Sequence, residues 1–397
     1  MAPGKKASQK RIERWHVRIV AYSMKSKPIS SPTGDSNPPC RIALLGCGAV
    51  SELYYAPVLQ HLEAEGTAVL TAVFDPDAGR AARFCAQFPS ALSYPEECFL
   101  KKVPLDLAIV ASPVSSHEVH VARALESGIA VLCEKPLAAN TAAGERMIAA
   151  ALKHQRILAV GLLRRFYANV QFTRQIIQNK TLGSVTSFTI QEGGPFNWPA
   201  RSDSFFRKST AGGGVLLDIG VHVLDLVVHW FGEPQKLTYA DDAMGGLEAN
   251  CRMELSYSAG FKGTVHLSRD WKTSNLYVIE FERGTLKLRA GEAEKVELQV
   301  NNSSFLLGGS LKHHIGLDST LGAVSPALSF PQAFLSQLRD LIFAVRGGGR
   351  PTIPAEEGIR SLRLIEQCYQ NRTLMEMPWL TQEERRSGRL LAAGGER

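Results

Sequence analysis

Two short stretches of the sequence hold side chains able to take a proton and steady an oxygen anion. In Cys133-Glu134-Lys135-Pro136 an apolar run ends just before Lys135, which places that lysine at the C-terminal edge of a strand, where open α/β sheets bind ligands. An ammonium there can hold a substrate hydroxyl and favour its alkoxide character, and the competing reading is a solvated surface lysine. Residues 212–222 read GGGVLLDIGVH, so Asp218 and His222 are four apart and, on a helix, share a face, with Asp225 three residues on. His222 can accept a hydroxyl proton near neutral pH while Asp218 touches the same substrate or tunes the imidazole. The alternative is a capping aspartate and a structurally satisfied histidine. No further ligand stands at a recognisable metal-site spacing, so no metal is expected.

A third stretch, Gly46-Cys47-Gly48-Ala49-Val50-Ser51, follows an apolar strand and opens a helix. Gly46 allows a tight turn, Gly48 allows a pyrophosphate to come close, and the helix N-terminus favours its charge. Asp75 ends the second strand, where a carboxylate can accept the hydroxyls of an adenosine ribose and repel a 2′-phosphate. This favours NAD, with NADP open because Arg80 lies close by in sequence. Ser51 stands where the fingerprint has Gly or Ala. Asp75 as an ordinary turn carboxylate is the plainer alternative.

These residues need a frame. From residue 41 apolar runs alternate with helical patterns: strands over 41–45, 68–74, 105–111 and 129–133, and helices over 49–63, 78–88 and 118–127. Such units build a parallel sheet covered by helices. Strand patterns over 185–191, 248–257, 263–267, 276–281 and 285–288 follow without long intervening helices, which predicts a largely antiparallel second sheet. Helices over 331–345 and 355–369 close the chain. The fold class is therefore α/β, an N-terminal parallel sheet covered by helices plus an α+β domain with a mostly antiparallel sheet.

Length and composition agree. The chain has 397 residues, room for two ordinary cores, and its 45% hydrophobic and 21% charged content is that of a soluble globular protein. The net charge of +7 is local: residues 1–39 hold eight Lys or Arg against Glu13 and Asp35, and the body is nearly neutral. With no zinc-finger spacing and no RNA-binding aromatic motif beside it, nucleic acid is not expected as a partner. The run 215–231 is broken by Asp218, His222, Asp225 and His229, so no membrane span is expected. Seven scattered cysteines without a C-x-x-C pair suit a reducing compartment, and a cytoplasmic location is expected.

Taken together, GCGAVS at 46–51, EKP at 134–136 and AGGGVLLDIGVHVLD at 211–225 resemble the glucose-fructose oxidoreductase, inositol dehydrogenase and MocA family. The resemblance spans roughly residues 41–379. It implies an NAD(P)-binding Rossmann domain at 40–160, a Rossmann parallel sheet, and at 161–380 a substrate-binding and oligomerisation α+β domain with a large open, mostly antiparallel sheet. The basic, proline-rich start and the charged end of the sequence predict a disordered basic tail at 1–39 and a flexible tail at 381–397. For its active site, the resemblance has these consequences. It implies Lys135, Asp218 and His222 as the catalytic set. For the cofactor it implies Gly46, Gly48, Ala49, Val50, Ser51, Asp75, Ser112, Pro113, His117, Glu134, Lys135 and Arg165, with Arg164 beside them. The implied substrate is a sugar, cyclic polyol or sugar derivative, for which residues 193–199 with Asn197 and Trp198 offer a wall, and the implied assembly is a homodimer or homotetramer. Three other readings remain: an NAD-dependent glycosidase, an epimerase or dehydratase using transient oxidation, and a non-catalytic NAD-binding regulatory protein.

Overall fold

The computed structural model describes residues 37–200, 206–301, 303, 306–311, 326–375 and 380–392. The expected tail at 1–39 lies outside them except for its last three residues.

Six strands form the first sheet: β1 (Cys40–Leu45), β2 (Ala68–Phe74), β3 (Leu92–Tyr94), β4 (Leu107–Val110), β5 (Ala130–Cys133) and β6 (Leu158–Val160). All pair in parallel, in the order β3-β2-β1-β4-β5-β6. The helices α1 (Ala56–Ala64), α2 (Ala78–Cys85), α3 (Val114–Glu126) and α4 (Thr141–Lys153) connect them. Every residue of β4 and β5 is buried, which is why these strands are continuous apolar runs and not alternating ones. The order reverses between β1 and β4, and the loops leaving β1, β4 and β5 open on that edge.

After α5 (Ala168–Gln178), β7 (Val185–Gly193), α6 (Lys208–Ala211) and α7 (Val221–Phe231), the chain continues through β8 (Lys236–Asp241), β9 (Asn250–Ser256), β10 (Lys262–Ser268), β11 (Leu276–Phe281), β12 (Gly284–Arg289), β13 (Lys295–Val300) and β14 (Leu306–Ser310). Helices α8 (Phe330–Phe343) and α9 (Ala355–Gln370), strand β15 (Arg372–Leu374) and helix α10 (Gln382–Ala392) complete it. The second sheet runs β14-β13-β12-β11-β7-β10-β9-β8-β15. Its pairs are antiparallel except β7 with β10 and β8 with β15. The alternation in its strands buries one face: Phe188, Ile190, Met253, Leu255, Val265, Leu267 and Ile279 are all at most 1% exposed. The Phe188 ring stacks on Phe231 of α7 at 4.5 Å, joining that face to a helix buried on nearly all sides.

Three differences from the sequence expectation have physical causes. The helix predicted over 49–63 contains a π-turn at Ser51–Tyr55 before α1, and π-turns tend to sit at functional sites. Helix α4 was not expected, although its Ala-rich sequence and Asn140, whose side chain caps the Ala143 N–H, are good helix signals. Within the flexible tail expected at 381–397, residues 382–392 form α10, which packs on β15.

Candidate active site

The loop after β1 is built to leave room. Gly46 has φ of 102°, and a Cβ there would lie 2.6 Å from the Ala111 carbonyl oxygen at the end of β4. At Gly48 nothing stands within 4 Å of where a Cβ would be, so a phosphate can approach the backbone. Ala49 and Val50 start the helix, whose first turn has no side-chain cap, so its N–H groups remain for an anion. Ser51 is buried and donates its hydroxyl to the Gly46 carbonyl at 2.6 Å, which closes the turn in place of the usual small residue. Asp75 is 4% exposed and works as a hub: its two carboxylate oxygens accept the N–H groups of Cys47 at 2.8 Å and Asp77 at 2.9 Å, and Arg80 stands 3.4 Å away. The long Arg80 contacts, 3.4 and 3.5 Å to the two oxygens, occupy the remaining acceptor positions, so a ribose hydroxyl would have to take their place. The loop therefore fits a dinucleotide.

Lys135 lies two residues beyond β5, and its peptide to Pro136 is cis. Its Nζ donates to the Asp218 carboxylate at 2.9 Å and to the Asp218 carbonyl at 3.0 Å, which unites two motifs 83 residues apart. Asp218 sits in a π-turn (Leu216–Gly220) that runs directly into α7, with His222 one turn on. The other Asp218 oxygen is taken by the guanidinium of Arg269, one residue past β10. Burial works to raise the Asp218 carboxyl, but Lys135 and Arg269 outweigh it and hold it below its usual value. His222 goes the other way: burial first, then the fields of Lys135, Arg164 and Arg269, push the imidazole well below the ordinary histidine value. It is neutral at pH 7. Its Nδ1 is buried and has no hydrogen-bond partner among the described residues.

A buried glutamate fixes the start of this helix. The Glu248 carboxylate accepts the N–H groups of Gly214 at 2.9 Å and Leu216 at 3.1 Å together with the Tyr369 hydroxyl at 2.7 Å, while the Glu248 carbonyl accepts from Val215. A side chain at Gly214 would run into the Glu248 backbone, so this glycine is there for close approach. Glu248 thus supplies from another strand connection the cap that the helix lacks locally. Glu248→Ala is expected to lower stability by about 2–4 kcal/mol, because several buried donors lose their acceptor at once. Chemical denaturation checks this, and an unchanged midpoint would remove the capping role.

Several residues expected at the cofactor have their side chains tied to other parts of the protein. Arg165 is 3% exposed and donates through Nε and Nη2 to the Asp225 carboxylate, at 2.6 to 3.1 Å, and through Nη1 to Glu357 at 3.2 Å. It is an internal strut between α7 and α9, and Asp225 faces it instead of joining Asp218 and His222. Arg165→Ala is expected to cost about 3–5 kcal/mol, the effect of stranding a buried carboxylate, without changing cofactor affinity in the folded fraction; a purely local loss of affinity would reverse this assignment. Glu134 is also internal: its carboxylate accepts from the Tyr55 hydroxyl at 2.6 Å and from the Lys135 N–H at 3.1 Å, so it braces the Lys135 backbone. His117 is 1% exposed, with Nε2 2.9 Å from the Ser112 carbonyl and Nδ1 3.0 Å from that of Pro136, so it ties the β4 and β5 loops together. Pro113 is exposed at the start of α3, and Ser112 remains half-buried beside Gly46.

Arg164 pairs with the Glu192 carboxylate through two bonds of 2.8 Å and with the Tyr277 hydroxyl at 3.1 Å. Trp198 stacks near Tyr54 at 6.1 Å, and Arg269, which binds Asp218, lies over the Phe196 ring at 5.4 Å, so the segment 193–199 reaches Asp218 through Arg269. The stretch 201–207 that follows was expected to line the same pocket, and its residues 201–205 lie outside the described residues. Arg269 and Glu248 were missed by sequence reading, since neither stands in a motif. Among the described residues no group of three His, Cys, Asp or Glu side chains could hold a metal ion.

Residues 40–162 match the family model described as "Oxidoreductase family, NAD-binding Rossmann fold", and residues 170–287 match the "GFO/IDH/MocA C-terminal domain". The chain is similar to D-glucoside 3-dehydrogenase of Escherichia coli, 30% identical over 53% of this chain and 57% of that protein. It thus spans little more than half the length of that relative. It is also similar to inositol 2-dehydrogenase 2 of Paenarthrobacter aurescens, 26% identical over 84% of this chain and 96% of the relative. Its fold is that of aldose-aldose oxidoreductase from Caulobacter crescentus, with a TM-score of 0.71 at 22% identity over 84% of this chain and 97% of that one.

Proposed function

Because this chain belongs to the Gfo/Idh/MocA oxidoreductase family, we propose that it is an NAD(P)-dependent enzyme that oxidises or reduces a hydroxyl-bearing carbon of a sugar, cyclic polyol or sugar derivative. The observation that carries this reading is the Lys135–Asp218 ion pair at the edge of the first sheet, with His222 one helical turn beyond it. The names of the relatives, a glucoside dehydrogenase and an inositol dehydrogenase, support the substrate class.

When bound, the nicotinamide ring supplies the two-electron chemistry at its C4. The chain supplies the rest. The Gly46–Ser51 loop and helix start receive the pyrophosphate. The carboxylate of Asp75 receives ribose hydroxyls and disfavours a 2′-phosphate, so NAD is the preferred form. Lys135 donates to the substrate oxygen and stabilises the negative charge that grows on it during oxidation. His222, neutral at pH 7, takes the hydroxyl proton and returns it in the reverse direction. Asp218 holds Lys135 and, through Arg269, the position of the opposite wall.

The test is a fluorescence titration with NADH and NADPH, followed by nicotinamide absorbance over a panel of polyols and sugars with the oxidised cofactors. Tighter NADH binding and stoichiometric reduction by one substrate are expected. Binding without net turnover would redirect the assignment to a glycosidase, an epimerase or a regulatory protein, and no binding of either cofactor would end it.

A further inference from the structure

One chain of hydrogen-bonded side chains has no part in the catalytic steps and yet ends at the cofactor loop. Ser112 leaves β4 against Gly46, and its backbone nitrogen would lie 2.7 Å from a Cβ on that glycine. The Ser112 hydroxyl is 2.8 Å from His120 Nδ1, and His120 Nε2 is 3.0 Å from the Glu97 carboxylate. Glu97 is in turn held by Arg123, and His120 is 7% exposed with the Phe74 ring edge-on to it at 5.8 Å.

The order of donors in this chain follows from Glu97. A carboxylate only accepts, so the His120 proton sits on Nε2 and Nδ1 of the neutral ring is bare. The Ser112 hydroxyl then gives its one hydrogen inward to Nδ1. Its oxygen is left with lone pairs only for anything outside.

We propose that His120 and Glu97 are positioning residues that fix the Ser112 hydroxyl as a hydrogen-bond acceptor toward the nicotinamide cofactor, so that it takes a donating group such as a ribose hydroxyl or the carboxamide N–H and not a phosphate oxygen. This rests on the reading of the chain as a nicotinamide-dependent enzyme. Protonating His120 inverts the arrangement: Nδ1–H donates to Ser112, and the hydroxyl hydrogen turns outward. The groups that face His120 are Glu97, which favours the proton, Arg123 on its own helix, which opposes it, and the buried His117, with Ser112 neutral. Burial is the largest influence and sets the ring below the ordinary histidine value, so the inversion belongs to the acid side of neutrality.

The experiment is NADH titration by fluorescence into the full-length protein and its Ser112→Ala, His120→Phe and His120→Asn variants, from pH 8 into the acid range. Asparagine can still accept the serine hydrogen but does not titrate. At pH 8, Ser112→Ala and His120→Phe are expected to weaken NADH binding about fivefold, the scale of one lost hydrogen bond, while His120→Asn stays within about twofold. Acidification should weaken binding to the wild type and leave His120→Asn flat. Wild-type affinity in Ser112→Ala, or an acid limb that persists in His120→Asn, would overturn the proposal. Failure of the underlying reading looks different, since the wild type itself would then bind neither NADH nor NADPH.

Discussion

Lys135→Ala is expected to reduce turnover by about 10³-fold, the scale of removing a charged donor from a developing oxyanion. Cofactor binding should survive, because the phosphate loop and Asp75 make no contact with the lysine side chain. The ammonium is committed to the Asp218 side of the cleft by bonds of 2.9 and 3.0 Å. It is therefore preorganised, which is what makes its loss costly in the chemical step. Lys135→Arg should not rescue, since a planar guanidinium cannot place one point charge at the same atom. Asp218 would keep Arg269 in either variant, so the fold should hold. Turnover and NADH affinity measured side by side check this; parent-rate turnover in Lys135→Ala would return the residue to an ordinary surface lysine.

The second large effect concerns His222. His222→Asn is expected to lower turnover by about 10²–10⁴-fold, the range for a positioned general base. The pH profile of the parent carries more information than the loss itself. A base works while unprotonated, and burial together with Lys135, Arg164 and Arg269 holds this imidazole well below the ordinary histidine value. Activity in the oxidative direction should therefore stay level through neutrality and fall only as the pH drops through that depressed value. Arg269→Gln removes one of the three cations, so the acid limb should move to higher pH, toward the ordinary histidine range. A limb that did not move, or moved to lower pH, would show that His222 is not the titrating base.

How much of this was legible in the sequence depends on range. Strands β4 and β5 were readable because every residue is buried and apolar, and β1 and β2 because all but Arg41 and Thr71 are apolar. Strands β13 and β14 were not read: Leu306–Ser310 is exposed throughout and carries little pattern, whereas Lys295–Val300 alternates polar and apolar residues, a strand signal that was overlooked. Lys135, Asp218 and His222 were found because each stands in a short motif whose spacing has chemical meaning. Arg269 and Glu248 stand in none; they reach the site only through the pairing of β9 and β10 and the turn before β9. Arg165 shows the opposite failure. Adjacent to Arg164 in sequence, it could not be told apart from a ligand-binding arginine until α7 and α9 brought Asp225 and Glu357 to it. His117 likewise offered two ring nitrogens to chemistry, and the fold commits both to backbone carbonyls.

The central claim is that hydrogen passes directly between a substrate carbon and the nicotinamide within this site. The measurement that tests it most directly is a single-turnover reaction of the purified protein with oxidised cofactor and a substrate from the active panel carrying deuterium on the reacting carbon. Mass analysis of the cofactor afterwards should find the label in the reduced nicotinamide, with formation slowed about 10³-fold in Lys135→Ala. Reduced cofactor without the label, or label lost to water while the substrate is converted, would contradict direct transfer and, with it, Lys135 as the oxyanion donor and His222 as the base.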